Sequence, residues 1–270
     1  MNRDREWLFH IQNPQVWTGL EINACHKPLQ ADRRGNVCLV FPDTYEIGMS
    51  HHGTRILYHA LNRLEGVTAD RSCLPDPDSL KLFQMQQTVL QSLEHHLPLR
   101  SFGIVAVSLM SELLFTNLLL TLDLAGIPLQ SHERGEGDPL ILAGGISCSN
   151  PEPIRAFADV IAIGDGELLF PQIMERLLSL PPHAPRTEKL ERLASLPGVY
   201  IPSRVPLRKK GPFLVPDLPP GSIRKQVLWE SPEASRGEVV RVEADSIRRL
   251  RSNDPEVGAI YKGVVTRLMD

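Results

Sequence analysis

Apolar residues are arranged along the chain in short runs that alternate with segments of helical periodicity. Residues 37–41 (VCLVF) form the first run, and in the segment 50–64 apolar side chains recur three and four residues apart. Short apolar runs bounded by turn residues are typical of strands that are buried on both faces. The pattern therefore predicts a strand and then a helix, with Ser50 as the N-cap of the helix.

The same alternation of strand and helix recurs further along the chain. Strands are predicted near 67–69, 102–109, 139–145 and 159–167, and helices over 111–126 and 166–180. Strand–helix alternation with uniformly apolar strands favours a parallel sheet with right-handed crossover connections. The predicted fold class is α/β, a doubly wound and mainly parallel sheet of the flavodoxin-like or Rossmann-like type.

The composition changes after residue 202. Residues 204–235 contain six prolines and two short basic clusters, which is typical of an extended linker or arm. We therefore divide the chain into a lead-in over 1–36, an α/β domain over 37–202 and a Pro-rich, basic C-terminal arm over 203–270.

The balance of basic and acidic residues changes at the same boundary between the domain and the arm. Residues 1–202 hold 16 basic and 23 acidic residues, whereas 203–270 hold 13 and 9, within a net charge of -3. The acidic domain predicts no general attraction to nucleic acid or membrane, and nucleic acid stays open only for the basic arm. No apolar run approaches the ~18 residues that a membrane span needs, and residues 1–10 lack a signal-peptide core. With four dispersed cysteines, this predicts a cytoplasmic protein with reduced thiols.

Polar and glycine-rich turns follow the predicted strands, at the sheet edge where doubly wound folds bind their ligands. Glycines there let a ligand approach the backbone, and an acidic residue is favourable in the first turn of a helix. Each of these features also occurs in turns that bind nothing, so both interpretations stay open. The candidate cofactor-binding residues are Asp43, Tyr45, Gly48, Ser108, Gly144, Gly145, Gly164, Gly166 and Glu167.

Several common site motifs are absent from the sequence. Neither G-x-x-x-x-G-K-[ST] nor G-x-G-x-x-G occurs, which disfavours the usual nucleoside triphosphate and dinucleotide sites. His51, His52 and His59 lack the i, i+4 spacing of helical zinc ligands, so we interpret them as exposed or core-edge histidines. No C-x-x-C pair and no nucleophile–base pairing is indicated, so no catalytic residue and no metal ligand is assigned.

The strand-end turns, taken in order, are similar to a known family. The chain resembles the N-terminal region of radical S-adenosylmethionine (radical SAM) proteins over roughly residues 15–205, in the segments WTGLEINACHK, VFPDTYEIGMSHHGTRILYHALN, SLMSELLFTNLLLTLDLAGIPL, DPLILAGGISCSNPEPIRAFADVIAIGDGE and LASLPGVYIPS. That region precedes the catalytic domain and is similar to a cobalamin-binding domain. The resemblance implies that cobalamin binds at the carboxyl edge of the sheet, with its nucleotide tail passing Ser108 and Gly144–Gly145.

Two departures from the family bear on its chemistry. Cobalamin-binding domains carry Asp-x-His-x-x-Gly in the first turn, and their histidine ligates cobalt from below, whereas Tyr45 occupies that position here. The family's catalytic domain holds a [4Fe–4S] cluster and S-adenosylmethionine through C-x-x-x-C-x-x-C, which is absent from these 270 residues. The resemblance therefore implies a module that is not catalytic alone and that binds a corrinoid, docks a radical SAM partner, or does both. The alternative is a cofactor-free interaction or scaffold domain that has lost cobalamin binding.

Overall fold

The computed structural model describes residues 8–11, 13–219, 222–223 and 225–226. They lie within one compact unit that ends at Gln226. The remainder of the predicted arm, 227–270, lies outside the described residues. No helix in the described part of the chain is long and apolar enough to cross a bilayer.

Six strands form the main sheet in the order β2-β1-β3-β4-β5-β6. The strands are β1 (Asn36–Phe41), β2 (Thr68–Cys73), β3 (Ile104–Ser108), β4 (Leu140–Gly144), β5 (Val160–Ala162) and β6 (Val199–Tyr200). All neighbours pair in parallel except β5 and β6, which are antiparallel. The order 2-1-3-4-5 is that of flavodoxin-like doubly wound sheets, so the predicted fold class is confirmed.

Helices cover both faces of this sheet. They are α1 (Tyr45–Ser50), α2 (His52–Asn62), α3 (Pro77–Gln86), α4 (Phe115–Leu124), α5 (Gly166–Leu178) and α6 (Arg186–Ala194). Successive residues of β1 enter opposite layers, because Val37 and Leu39 pack with α2, α5 and α6 whereas Cys38 and Val40 pack with α3 and α4. This division into two apolar layers explains why the strands are apolar throughout.

Two local features differ from the sequence prediction. The helix predicted over 50–64 is present as α2, but its N-cap is His51 rather than Ser50, because the His51 imidazole accepts the Thr54 N–H and Ser50 is the last residue of the separate helix α1. Residues of the predicted extended arm form a two-stranded antiparallel ribbon, β7 (Leu207–Lys210) and β8 (Phe213–Pro216). The chain turns back at Gly211, which has a φ of +61°, and this turn brings the two strands within hydrogen-bonding distance of each other.

Strand β2 is polar in sequence yet fully buried. Asp70 accepts the backbone N–H groups of Glu94 (3.1 Å) and His95 (2.9 Å), and Arg71 donates to carboxylate oxygens of Glu21 (3.0 Å) and Glu94 (3.1 Å). Buried charges are tolerated where each is paired and hydrogen-bonded. The partners lie more than 20 residues away in the chain, so the apolar pattern predicted only a short strand over 67–69.

The Asp70–His95 pair makes the stability depend on pH. The hydrogen bond to Asp70, 2.8 Å from His95 Nδ1 to Asp70 Oδ2, raises the pKa of His95. Burial works to raise the pKa of Asp70, but hydrogen bonds from His95 and its neighbours outweigh it and lower that pKa. The stabilisation by His95 is complete below about pH 6.5 and is lost as the pH rises through its higher folded pKa. The stabilisation by Asp70 is complete above about pH 3.9 and is lost as the pH falls through its lower folded pKa.

We expect His95→Gln to lower the melting temperature more at about pH 6 than at about pH 9, since only the protonated imidazole carries the extra stabilisation. Thermal unfolding across this pH range measures the difference. His132→Gln is the control, because His132 is exposed and contributes no such pair. An equal loss at both pH values would contradict this assignment.

Candidate functional site

A cavity of about 320 Å³ lies at the carboxyl edge of the sheet, between the strands and helices α2 and α5. Its floor is formed by side chains on one face of the sheet: Leu39, Ala106, Leu142 and Ala162. The cavity spans the boundary between β1 and β3, where the strand order reverses and doubly wound folds bind ligands. Its volume falls within the range of small-molecule pockets, about 300–1,000 Å³.

Most of the residues predicted for the site lie in the lining of this cavity. They are Ser108, Gly144, Gly145, Gly164, Gly166 and Glu167. They come from the ends of β3, β4 and β5 and from the first turn of α5, which are brought together because parallel strands end at the same edge. The lining also contains two apolar side chains that are exposed to solvent, Met110 and Ile146.

The other predicted residues, all from the first turn, lie outside the cavity lining and hold that turn in place. Asp43 Oδ1 accepts the next backbone N–H in the chain at 2.7 Å. The Tyr45 hydroxyl donates to Glu21 Oε1 at 2.9 Å, and burial together with this bond raises the pKa of Tyr45. Gly48 is buried, and a Cβ there would lie 3.2 Å from the Phe41 Cβ. The turn is therefore packed and hydrogen-bonded internally.

The two glycines at the end of β4 have different roles. A Cβ on Gly144 would meet no atom within 4 Å, so the absence of a side chain there leaves space in the cavity. Gly145 has a φ of +112°, and a Cβ there would lie 2.4 Å from the Leu109 carbonyl oxygen. That carbonyl accepts the Ser147 N–H at 3.2 Å, and the Leu109 N–H donates to Gly144 O at 2.6 Å. Gly145 thus allows the β4 turn to pack against the end of β3.

We expect Gly145→Ala to lower the free energy of unfolding by about 3 kcal/mol, because the alanine must adopt a left-handed conformation and clash with backbone. Chemical denaturation measures the loss. Gly135→Ala is the matched control, since a Cβ there meets nothing within 4 Å and its φ is outside the left-handed region. Equal stability of the two variants would refute the packing described for this turn.

His51 is a lining residue that the sequence analysis did not assign to the site. Its Nδ1 accepts the Thr54 N–H at 3.1 Å, so the ring proton of the neutral imidazole lies on Nε2. Burial, with a smaller effect of His52, lowers the pKa of His51 and favours this neutral form. His51 can therefore donate one hydrogen bond to a ligand but presents no free lone pair to a metal. Within the described residues, no three His, Cys, Asp or Glu side chains are grouped to hold a metal ion.

The arm returns to this edge of the sheet at Lys225 and Gln226. The Asp165 N–H donates to Gln226 O at 2.7 Å, and the Gln226 N–H donates to Ile163 O at 3.0 Å. Gly164, at a φ of +137°, permits this pairing, because a Cβ there would overlap the Gln226 backbone. Lys225 lines the cavity and adds a positive charge to a lining that also holds Asp165 and Glu167. Lys225 was not predicted as a site residue, since it lies within the segment that was predicted to be an extended arm.

A second cavity, of about 480 Å³, lies at the amino edge of the sheet and contains several basic side chains. These side chains already support the fold. Arg34 Nη1 donates to the carbonyls of Leu177 and Leu180, and Arg186 Nη2 donates to Asp159 Oδ2 at 2.7 Å. The glycine-lined carboxyl edge therefore remains the candidate site.

A family model for the N-terminal region of radical SAM proteins matches residues 53–202, more than half of the chain. The chain belongs to this family. The match begins within α2 and includes β3, β4, β5 and α5, which supply most of the cavity lining. It confirms the resemblance to a radical SAM N-terminal region that the sequence indicated. No curated protein and no solved structure matches the chain.

Proposed function

We propose that this radical SAM N-terminal domain binds a corrinoid at the carboxyl edge of its sheet. In this proposal the cobalamin nucleotide tail enters the cavity between α2 and α5. The observation that carries the proposal is the glycine-lined entrance, where Gly144 and Gly145 end β4 and Gly164 and Gly166 flank the start of α5. A Cβ on Gly144 would meet no atom within 4 Å, so glycine there leaves the end of β4 accessible to a bulky ligand, whereas Gly145 and Gly164 allow close backbone packing around the entrance.

The size and chemistry of the cavity fit one part of a corrinoid. A volume of about 320 Å³ suits a base and sugar but not a corrin ring, so the ring would lie outside the entrance. Met110 and Ile146, which are 40% and 66% exposed, offer it apolar contact there. The Ser108 hydroxyl and the His51 Nε2–H are hydrogen-bonding groups available to the tail.

Among the described residues, no side chain of the first turn is available to ligate cobalt from below. The Tyr45 hydroxyl is engaged with Glu21, and the tautomer of His51 places its proton on the nitrogen that would face a metal. We therefore propose binding without a protein ligand beneath the metal. When bound, the corrinoid would supply a cobalt centre for transfer of electrons or alkyl groups.

The proposed partner is a radical SAM catalytic domain or protein, which would bring the [4Fe–4S] cluster and S-adenosylmethionine. Family membership supports this proposal, since the family is defined by the N-terminal region of radical SAM proteins. No catalytic residue is assigned to the described domain itself.

A second candidate function is a cofactor-free interaction or scaffold domain. It is favoured by the Lys225–Gln226 segment, which pairs at Gly164 beside the cavity entrance, and by the engagement of Tyr45 with Glu21. In that case the arm would substitute for a ligand at this edge.

Titration of the purified chain with hydroxocobalamin, followed by gel filtration, distinguishes the two functions. The visible spectrum reports a change in the environment of the corrinoid, and gel filtration reports its retention. Stoichiometric retention is the result that we expect. An unchanged spectrum together with complete loss of the corrinoid on the column would favour the cofactor-free domain.

A further inference from the structure

The Cys25 thiol and the His59 imidazole form a pair on the protein surface, away from the cavity lining. Cys25 Sγ lies 3.6 Å from His59 Nδ1. Cys25 is exposed, and it belongs to the segment 17–27, whose sequence WTGLEINACHK was one of those that indicated the family. The candidate site uses neither Cys25 nor His59.

The structure holds the two side chains beside each other. The Cys25 backbone N–H donates to the Tyr58 hydroxyl oxygen at 2.5 Å, and the Tyr58 ring packs edge-on against the His59 ring with 5.1 Å between centroids. Two residues further along, Lys27 Nζ donates to the Asn62 carbonyl at the end of α2. The segment is thus anchored to α2 at and beyond Cys25, so the thiol is held next to its partner.

The other three cysteines are buried, whereas Cys25 is exposed. Cys38, Cys73 and Cys148 are fully buried. Burial raises the pKa of the Cys148 thiol to about 12 and also raises the pKa of Cys38 and Cys73. A buried neutral thiol reacts slowly because the thiolate is the nucleophile and the reagent must reach it. Cys25 is therefore the cysteine that is both exposed to solvent and next to a group that can accept its proton, the His59 imidazole.

We propose that Cys25 is a reactive thiol that forms a mixed disulfide with a small disulfide of the glutathione class, with His59 as proton acceptor. His59 Nδ1 takes the thiol proton while Cys25 Sγ attacks one sulfur of the disulfide. The Cys25 S–S bond forms as the original S–S bond breaks, and the leaving thiolate takes the proton from the imidazolium. Cys25 is oxidised and the leaving sulfur is reduced, so one disulfide and one thiol yield one mixed disulfide and one thiol.

Reaction of the reduced full chain with dithiodipyridine, a neutral aromatic disulfide, tests the pair under native conditions. We expect one thiol to react quickly and the three buried thiols to react slowly until the protein is denatured. Cys25→Ser should remove the fast thiol. His59→Gln should slow the reaction of the Cys25 thiol at about pH 7 by at least about ten-fold, because the amide cannot accept the thiol proton. His52→Gln, on the exposed side of the same helix, should keep the wild-type rate.

The slow thiols serve as an internal test of folding in every variant. A wild-type rate in a folded His59→Gln variant would overturn the role of the histidine. A fast thiol that survives Cys25→Ser would overturn the assignment of the site. Incubation with oxidised glutathione, followed by peptide mass spectrometry, should place the adduct on Cys25, and no adduct there would overturn the proposed class of disulfide.

Discussion

Gly144→Leu is expected to weaken hydroxocobalamin binding by at least about ten-fold, which corresponds to about 1.4 kcal/mol. A Cβ at residue 144 would meet no atom within 4 Å, and the backbone there is outside the left-handed region, so a leucine side chain can extend into the cavity from an unstrained backbone. The added methyl groups would occupy the space proposed for the nucleotide tail. Spectral titration measures the affinity, and thermal unfolding shows whether the variant remains folded.

Gly137→Leu is the matched control for this variant. Residue 137 also has open space around its Cβ position, but it lies in the loop before β4, at the opposite edge of the sheet. Wild-type affinity is expected for this control. If Gly144→Leu also bound hydroxocobalamin with wild-type affinity, the ligand would not occupy the cavity.

Asp159→Ala is expected to cost about 3–5 kcal/mol of stability, the largest effect predicted for a single side chain outside the site. The Asp159 side chain is 2% exposed, and its Oδ2 accepts hydrogen bonds from Arg134 Nη1 (2.9 Å), Arg186 Nη2 (2.7 Å) and the Ile141 N–H (2.8 Å). The Arg134 side chain is itself 0% exposed, so alanine would leave a buried guanidinium without its counter-charge. Chemical denaturation measures the change.

Asp78→Ala provides the comparison for an exposed ion pair. Asp78 lies 3.1 Å from Lys81, and its side chain is 68% exposed, so solvent screens the pair and the change should be below about 1 kcal/mol. Similar losses for the two variants would contradict the view that Asp159 fastens β4 and the start of β5 to α6.

The apolar pattern was sufficient to predict the layers of the fold. Uniformly apolar runs identified β1, β3, β4 and β5, because each strand lies between two helical layers. The pattern did not predict α3 or the full length of β2. The stability of β2 depends on pairing of Asp70 and Arg71 with residues that follow some 20 positions later, and such pairs leave no local periodicity.

The lining of the candidate cavity was predictable where it depends on strand ends and less so where it depends on distant partners. The turns after β3, β4 and β5 converge simply because the strands are parallel, so their glycines could be assigned from the sequence. The orientation of Tyr45 depends on Glu21, and the position of Lys225 depends on a pairing at Gly164. Neither contact is visible in the spacing of the residues concerned.

A comparison of cobalamin with cobinamide, which lacks the nucleotide tail, tests the central claim most directly. Equilibrium dialysis of the purified chain against each corrinoid gives the two affinities under the same conditions. We expect one molecule of cobalamin to bind per chain and cobinamide to bind at least about ten-fold more weakly, since only the tail can enter the cavity. Equal affinities would contradict the placement of the tail, and no binding of either corrinoid would contradict the proposed function.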